Sequence, residues 1–273
     1  MPDADSLEAD LALIADAARR AGHLSLHWLA KGAKRWDKSP NNPVTEADLA
    51  CNDLLLDVLR GARPDYGWLS EETKDNAADR SQQRVFVVDP IDGTLAFVRG
   101  ESGFCVSIAV IEEGRPIAGA VYNPNFDALL TARKGGGAQL NGAPVSVTDA
   151  PSLACGMIGQ KDVFARANVQ HWPEIRLIDA VPNAMAWRLS LVAAGEWDAT
   201  VALNDKSDWD LAAASLIIEE AGGVVTDRAG RPLVFNRESV IQKGAVAAGA
   251  ERHPLIMERL RRWASQQTRP ASS

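Results

Sequence analysis

The amino-acid sequence predicts a mixed α/β protein built from two joined lobes. Three observations support this fold class. Helical apolar patterns fill the first 60 residues, short alternating or β-branched runs follow over residues 85–134, and strand-like and helical segments alternate after residue 150. We therefore expect an α+β lobe over residues 1–150, with two helices on an antiparallel sheet, and an α/β lobe over residues 151–273.

Two helices are predicted at the start of the first lobe. Apolar residues recur at spacings of three, four and seven over residues 6–31, which is typical of an amphipathic helix. A turn-rich run at 38–43 precedes a second predicted helix over residues 45–60, with Leu49 among its inward-facing residues and Gly61 past its end.

The remaining elements follow from short apolar runs bounded by Gly, Pro or Asn. In the first lobe the predicted strands are 85–89, 104–111, 117–124 and 127–134, followed by a glycine-rich turn at 135–144. In the second lobe strands are predicted at 157–161, 176–181, 199–203 and 224–227, and helices at 183–194, 209–221 and 253–265. This alternation indicates layers of helices and strands.

The composition is that of an ordinary globular protein with an acidic balance. The 273 residues include 29 Lys and Arg against 36 Asp and Glu, a formal charge of −7. This charge argues against a nucleic-acid polymer or an anionic membrane as partner, since both require a basic face. The three cysteines form no C-x-x-C pair, and the sequence shows neither a signal-peptide pattern nor an apolar run of membrane-spanning length. A cytoplasmic protein is expected.

The strongest local signal is the run VFVVDPIDGT at residues 85–94. A predicted strand ends at Asp89, and Asp92, Gly93 and Thr94 follow within five residues. Asp-Pro and Asp-Gly are also common turn dipeptides, so the run taken alone fits a plain turn about equally well. Two carboxylates three residues apart at a strand end can nevertheless converge on divalent cations, which prefer oxygen ligands. The Gly-Thr step can open a short helix whose first N–H groups bind an anion beside those cations.

Three further acidic motifs have ordinary structural explanations when each is taken alone. Glu71, with Glu72, fits a solvated charge run just before the strand of the first motif. Asp210 opens a predicted helix, where the helix dipole favours an acid. Asp48 lies three residues after Thr45 and fits a capping box. Each of these acids is also a candidate to join the aspartates of the 85–94 run.

Spacing excludes two other motifs of this kind. The haloacid-dehalogenase phosphatases use D-x-D-G-T with a nucleophilic first Asp, whereas Pro90 and Ile91 separate the two acids here. The D-x-D-x-D-G ladder of an EF-hand is absent from the sequence. Carboxylates that hold cations beside N–H groups that hold an anion would suit a phosphate group.

Together, these motifs resemble those of the inositol monophosphatase superfamily, the magnesium-dependent, lithium-sensitive phosphatases. That family has an Asp early in its second helix, then a Glu-Glu pair, then D-P-[IL]-D-G-[ST], then W-D-x-x-A-[AG] at the start of a late helix. The matching residues here are Asp48, Glu71-Glu72, Asp89-Pro90-Ile91-Asp92-Gly93-Thr94 and Trp209-Asp210-Leu211-Ala212-Ala213-Ala214. The family's G-x-G-A-x-x-N-G turn matches residues 135–142, and its V-A-x-G-x-x-D motif matches residues 192–198.

The resemblance implies a fold, a cofactor and a set of roles. The fold would be a layered αβαβα sandwich with the active site between the lobes. Two or three Mg²⁺ ions would be held by Glu71, Asp89, Asp92, Asp210 and the Ile91 carbonyl. Asp92, Gly93 and Thr94 would bind the phosphate, and Asp48, Thr94 and Glu71 would act on the attacking water. The implied reaction is hydrolysis of a small phosphate monoester by metal-activated water, with no covalent phosphoenzyme.

The substrate side departs from the inositol monophosphatase pattern. The family's R-x-x-G-[ST]-A-A stretch aligns with residues 183–186, and Ala180 stands where its Arg is expected. In the related 3′(2′),5′-bisphosphate nucleotidases, a Lys falls at the position of Arg188. An Arg there could hold a second phosphate bidentately, although an exposed helix residue explains Arg188 equally well. The resemblance thus favours a 3′(2′),5′-bisphosphate nucleotidase that converts adenosine 3′,5′-bisphosphate to AMP and phosphate.

Two alternatives stay open at this point. One is a phosphatase for inositol-1-phosphate, another sugar-alcohol phosphate or histidinol phosphate. The other is a catalytically silent homologue that binds metal or phosphate and acts through protein contacts, although every acid of the family pattern is present. The expected partner of the enzyme is a small phosphorylated metabolite. The resemblance leaves the oligomeric state tied to the substrate, because inositol monophosphatases are often dimers and bisphosphate nucleotidases are often monomers, and a homodimer is one of these two expectations.

Overall fold

The structure, a computed structural model, describes residues 4–39, 42–158, 175–177 and 181–267. Its helices are α1 (Ala4–Lys31), α2 (Glu46–Ala62), α3 (Thr94–Val98), α4 (Met185–Ala193), α5 (Asp208–Glu220) and α6 (Arg252–Gln267). Its strands are β1 (Arg35–Ser39), β2 (Asn42–Thr45), β3 (Gly67–Ser70), β4 (Arg84–Asp92), β5 (Cys105–Glu112), β6 (Arg115–Asn123), β7 (Ala128–Arg133), β8 (Ala138–Leu140), β9 (Ala143–Val145), β10 (Cys155–Ile158), β11 (Ile175–Leu177), β12 (Ala199–Ala202), β13 (Lys206–Ser207), β14 (Gly223–Thr226), β15 (Ile241–Gln242) and β16 (Ala245–Gly249). None of the described helices is both long enough and apolar enough to cross a membrane.

Two sheets and three helical layers alternate through the molecule. The larger sheet has the strand order β3-β4-β5-β6-β7-β8-β9, and the smaller sheet has the order β11-β10-β12-β16-β14. One face of the larger sheet packs on α1 and α2, and its other face packs on α4 and α5. The smaller sheet lies between these two helices and α6. The predicted αβαβα sandwich is therefore confirmed.

Strand β5 shows why the sequence of the larger sheet is apolar almost throughout. Successive side chains of a strand point to opposite faces of the sheet. Ile108 and Val110 pack in the layer of α1 and α2, whereas Ala109 and Ile111 pack in the layer of α4 and α5. Because helices cover both faces, apolar side chains occupy most positions of the strand, and its apolar residues form a nearly continuous run instead of alternating with polar ones.

Strand pairing corrects two expectations. The larger sheet is not wholly antiparallel, because β3 pairs parallel to β4. Neither β3 nor β16 was predicted, yet β16 lies between β12 and β14 in the smaller sheet. The sequence of β16, AVAAG, is poor in the β-branched and aromatic residues that mark strands. Its small side chains instead suit a strand that is buried along its whole length.

The second helix corrects two further details. Leu49 is 38% exposed rather than inward-facing, because the buried stripe of α2 runs through Cys51, Leu55 and Leu59 at spacings of four. Gly61 lies inside α2, which continues to Ala62. Within the run at 38–43, residues 38–39 end β1 and residues 42–43 begin β2, and these two strands pair antiparallel.

The predicted lobe boundary at residue 150 stays a prediction. The buried cluster around the middle helical layer joins Val87 and Leu130 of the larger sheet to Leu189 and Leu216 of α4 and α5. Residues 159–161 and 178–180, which complete two of the predicted strands, lie outside the described residues.

Candidate active site

Three aspartates from two layers meet in the interior. Asp89 and Asp92 lie at the end of β4, and Asp210 lies in the first turn of α5. Each offers a carboxylate oxygen, and these oxygens lie within 4.8 Å of one another. Asp89 and Asp92 are buried. Several hard oxygen donors at this separation form the kind of ligand set that Mg²⁺ and Ca²⁺ prefer.

A bulge in β4 explains how Asp89 and Asp92 reach the same site. Residues three apart in a regular strand point to opposite faces of the sheet. Here Asp89 faces Ser107 and Asp92 faces Cys105 on β5, so three steps along β4 match two steps along its neighbour. The extra residue turns both carboxylates to one side. The N–H of Ile91 donates to Asp89 Oδ1 at 3.1 Å and supports this local turn.

Asp210 is positioned by the start of α5. The N–H of Ser207 donates to Asp210 Oδ2 at 2.9 Å, and the two residues form a capping box. The ordinary explanation of Asp210 as a first-turn acid is therefore correct, and the same geometry aims its carboxylate at Asp89 and Asp92. A cap that fixes the side chain also holds a ligand oxygen in place.

Burial raises the pKa of every carboxyl group in this cluster. The pKa of Asp92 rises to about 8 through burial and repulsion from Asp210, against hydrogen bonds from the N–H groups of Ala186 and Met185. Burial, with the nearby charge of Glu71, raises the pKa of Asp89 well above its ordinary value, and burial also raises the pKa of Asp210. Three buried acids that repel one another fit a site for divalent cations, which would neutralise them.

Glu71 lies at the edge of the same cavity and is contacted by a lysine that sequence analysis missed. Lys38 Nζ lies 3.5 Å from Glu71 Oε1 and 2.5 Å from Glu72 Oε1. The side chain of Glu72 is only 3% exposed, so the solvated charge-run explanation of this pair is wrong. Burial raises the pKa of Glu71 to about 7, while the charge of Lys38 opposes the shift. No local signal marks Lys38, because it lies 33 residues from Glu71.

Asp48 and Thr94 form a hydrogen-bonded pair beside the cluster. Thr94 Oγ1 donates to Asp48 Oδ1 at 3.1 Å and lies 3.2 Å from the Ile91 carbonyl oxygen. Asp48 Oδ2 accepts from the N–H and the hydroxyl of Thr45, at 2.8 and 2.5 Å, in the capping box of α2. Burial raises the pKa of Asp48. The predicted cap is therefore present, and it leaves the second oxygen of Asp48 to Thr94.

Gly93 shapes the loop between the acids and α3. Its φ of 91° lies in the left-handed region, and a Cβ there would stand 2.9 Å from the N atom of Ala184. The N–H of Ala96 returns to the Gly93 carbonyl at 2.8 Å, which begins the helix. The first N–H groups of a helix have no intrahelical acceptor, so those of Thr94 and Leu95 can bind an anion.

One polar cavity of about 260 Å³ brings most of these groups together. The predicted site residues that line it are Glu71, Asp89, Asp92, Gly93, Thr94, Arg188 and Asp210. Asp48 and the Ile91 carbonyl lie behind this surface, in contact with the Thr94 hydroxyl. The motifs that were separate in the sequence therefore converge.

The substrate side of the cavity carries two cations. Arg188 is only 4% exposed, so its explanation as an exposed helix residue is wrong. Its guanidinium donates from Nε to the Pro182 carbonyl at 2.5 Å and from Nη2 to the Asn183 carbonyl at 3.3 Å. Lys206 also lines the cavity and was not identified from the sequence. Its position four residues before Asp210 is the signal that could have drawn attention to it.

The fold and the site together define a class of protein. Acidic side chains that suit divalent cations and a loop that suits an anion share one cavity between layers, as a metal-dependent phosphate hydrolase requires. The sequence profile of the inositol monophosphatase family matches residues 7–265 of the chain. The chain therefore belongs to this family, as the motifs predicted.

Individual relatives agree with this assignment. The chain is 36% identical to the inositol-1-monophosphatase of Mesorhizobium japonicum over 223 residues, which cover 78% of this chain and 80% of that protein. It is 32% identical to inositol monophosphatase 1 of Solanum lycopersicum over 236 residues, which cover 82% of this chain and 86% of that protein. A solved structure of the Thermotoga maritima IMPase is similar, with a TM-score of 0.81 at 27% identity, over 94% of this chain and 99% of that one. The family is metal-dependent, and the chain is a phosphatase.

Proposed function

We propose that this phosphatase hydrolyses small phosphate monoesters with Mg²⁺ as its metal. The observation that supports the proposal is the convergence of Asp89, Asp92 and Asp210 beside the Gly93–Thr94 loop. These aspartates, with Glu71 and the Ile91 carbonyl, would hold two or three ions. The bound ions supply positive charge to the phosphate oxygens and make water a better nucleophile at neutral pH.

The loop and its neighbours bind the phosphate in this proposal. The N–H groups of Gly93 and Thr94, with that of Leu95 beside them, lie at the start of α3 and would donate to the phosphate oxygens. The proton of the Thr94 hydroxyl goes to Asp48 Oδ1, which leaves the hydroxyl oxygen to the attacking water. Asp92 precedes this loop directly, so its carboxylate would lie beside the phosphate and would also be a metal ligand. The left-handed conformation of Gly93 lets the backbone approach the anion closely.

Asp48, Thr94 and Glu71 handle the attacking water in this proposal. Because Thr94 Oγ1 donates its proton to Asp48, its lone pairs can accept a hydrogen bond from water and orient it. The Asp48 carboxylate, fixed by Thr45, can then stabilise the proton that leaves the water. Glu71 would act on the same water through the ion it holds, because a metal ligand beside the water fixes the ion that makes the water a better nucleophile.

We further propose that the preferred substrate is a 3′(2′),5′-bisphosphate nucleotide such as adenosine 3′,5′-bisphosphate. The support is that Arg188 and Lys206 add positive charge to the substrate side of the cavity, where a second phosphate would lie. The names of the relatives favour inositol-1-phosphate as a second candidate, and histidinol phosphate remains a third. The silent-homologue alternative is not favoured, because the acids of the family pattern converge in the structure.

Phosphate release from a panel of substrates tests the proposal. The panel contains adenosine 3′,5′-bisphosphate, inositol-1-phosphate, histidinol phosphate and fructose-1,6-bisphosphate, each with Mg²⁺ and with or without Li⁺. We expect kcat/KM for the nucleotide to exceed the others by about 100-fold, which is about 2.7 kcal/mol of discrimination. A preference for inositol-1-phosphate would contradict the nucleotide assignment while leaving the Mg²⁺-dependent reaction in place. Inhibition by Li⁺ is expected.

A homodimer is proposed as the form in solution. Phe126 is 59% exposed and stacks on Trp187, with ring centroids 6.2 Å apart, at an apolar cavity of about 450 Å³. An exposed aromatic side chain, here Phe126 stacked on the buried Trp187, beside an apolar cavity is typical of a protein interface. Light scattering of the wild type and of Phe126→Glu tests this proposal, and a monomeric wild type would contradict it.

A cytoplasmic location stays a prediction.

A further inference from the structure

The two cations of the active-site cavity are not equivalent. Arg188 uses Nε and Nη2 on the carbonyls of Pro182 and Asn183, and so holds the turn that leads into α4. The first turn of α4 in turn contacts the acid cluster, because the N–H of Ala186 donates to Asp92 Oδ2 at 2.6 Å. Arg188 is thus a positioning residue for Asp92 as well as a source of positive charge.

Lys206 has a rigid backbone and a side chain that is open to the cavity. Its backbone pairs with Gln242 in the β13–β15 ladder, and Gln242 Nε2 donates to Asp208 Oδ1 at 2.7 Å and to the Val234 carbonyl at 2.9 Å. The half-buried side chain of Lys206 lines the cavity. Within the described part of the chain, its ammonium forms neither a hydrogen bond nor an ion pair.

The acid cluster does not neutralise the positive charge of Lys206. Lys206 lines the same small cavity as Asp92 and Asp210, and among the described residues it forms no hydrogen bond or ion pair with either carboxylate. When cations neutralise these acids, Lys206 is left as positive charge facing the space beside the reacting phosphate. Such a group binds a phosphate or carboxylate through charge-assisted hydrogen bonds.

We infer that Lys206 determines substrate specificity by binding a second anionic group of the substrate. This inference rests on the proposed phosphatase site, and it names the residue that selects among phosphate esters there. A substrate with a single phosphate, bound by the acids and the Gly93–Thr94 loop, would leave Lys206 without an anion, whereas the second phosphate of a bisphosphate would engage Lys206. Lys206 makes the contact, and Arg188 holds the turn that shapes the pocket.

Matched pairs of substrates test this role in the full-length Mg²⁺-loaded protein. One pair is adenosine 3′-phosphate and adenosine 3′,5′-bisphosphate, and the other is inositol 1-phosphate and inositol 1,4-bisphosphate. For Lys206→Gln we expect kcat/KM to fall about 10- to 100-fold for the preferred bisphosphate, mainly through KM, which is the effect of one lost charged hydrogen bond. The matching monophosphate should change by less than about 3-fold, and Lys206→Arg should restore most of the preference.

Lys243→Gln is the matched control. Lys243 lies one residue beyond the β15 partner of Lys206, is exposed and pairs with Asp205 at 2.7 Å, so its loss removes the same charge away from the cavity. We expect no change with either pair of substrates. If Lys206→Gln lowered kcat/KM equally for the monophosphate and the bisphosphate, the inference would be overturned. Lys206 would then act by balancing the negative charge of the acids.

The two pairs separate this inference from the nucleotide assignment. An effect of Lys206→Gln confined to the inositol pair would support the role of Lys206 and contradict the nucleotide as substrate. A wild type that hydrolyses both monophosphates at least as well as both bisphosphates would overturn the role of Lys206, while Mg²⁺-dependent release of phosphate would still support the proposed reaction.

Discussion

Two groups of buried carboxylates in this protein have opposite surroundings. Asp10 on α1 is fully buried, and Arg63, Arg84 and the Tyr66 hydroxyl donate to its oxygens at 2.8–2.9 Å. In the acid cluster Asp89 and Asp92 are also buried and Asp210 is half-buried, yet among the described residues no Arg or Lys forms an ion pair with them. Basic side chains thus neutralise the negative charge of the aspartate at Asp10, whereas no such ion pair neutralises the aspartates of the acid cluster.

This difference distinguishes a structural charge from a functional one. At Asp10 the protein supplies the positive charge itself, so the network ties α1 to β4 and to the segment after α2. At the acid cluster the repulsion between Asp89, Asp92 and Asp210 opposes folding of the metal-free chain. Such a cluster is useful only when something outside the chain, such as Mg²⁺, provides the compensation. Four measurements test the comparison.

The largest expected effect is that of Asp92→Asn on activity. Removing one carboxylate from the cluster weakens metal binding and the neutralisation of the phosphate, so we expect kcat to fall at least about 1,000-fold, roughly 4 kcal/mol. The metal-free variant should be as stable as the wild type or more stable, because a neutral amide avoids the cost of burying a carboxyl group whose ionisation its neighbours oppose. Phosphate release and urea unfolding in EDTA check the two parts. A metal-free Asp92→Asn chain that no longer folds would show that Asp92 is structural.

The converse variant is Asp10→Asn. It leaves Arg84 and Arg63 without their shared carboxylate, and we expect the free energy of unfolding to fall by about 3 kcal/mol. Activity at low temperature should stay within about 2-fold of the wild type, since Asp10 lies outside the active-site cavity. Urea unfolding and phosphate release measure the two effects. If Asp10→Asn kept the free energy of unfolding of the wild type but lost activity, Asp10 would be a functional charge and not a structural one.

The third test uses pH. The pKa values of Glu71 and Asp92 rise to about 7 and about 8 in the folded metal-free chain, above the values near 4 of an unfolded chain. The stability linked to these raised values is complete below about pH 4 and is lost as the pH rises through 7 and 8. Mg²⁺ replaces the same protons, so its stabilising effect should grow with pH.

Melting temperatures with saturating Mg²⁺ and with EDTA measure this effect. We expect the difference in Tm to be about 5 °C larger at pH 9 than at pH 6, the shift that roughly 2 kcal/mol produces in a chain of this size. If the difference in Tm between Mg²⁺ and EDTA did not change with pH, the metal would displace no protons from these acids.

The smallest expected effect concerns Glu71, the acid of the site that pairs with Lys38. Lys38→Met removes the ammonium from Glu71 and Glu72 and makes the site more negative, so we expect Mg²⁺ to half-saturate activity at about 3-fold lower concentration, a change typical of one partly exposed ion pair. Lys34→Met is the control, because Lys34 pairs with Glu46 beside the same hairpin. Weaker Mg²⁺ binding in Lys38→Met would mean that Lys38 supports the metal site rather than competing with it.

Local patterns predicted a large part of both the fold and the site. The capping box of Thr45 and Asp48, the pair of aspartates at the end of β4 and the apolar period of α1 each depend on residues within about one or two helical turns, so neighbouring residues suffice to specify them. The assembly of the acids was predicted through the family resemblance, because no spacing in the sequence brings Asp210 to Asp89.

Contacts between distant segments could not be obtained in this way. Lys38 meets Glu71 across 33 residues, and the burial of Arg188 depends on the turn it holds and on the layer it packs in. Lys206 lines the cavity only because its strand ends beside the acid cluster. Which charges meet is decided by how the layers stack and where their loops end, and this stacking is a property of the whole core rather than of any stretch of sequence.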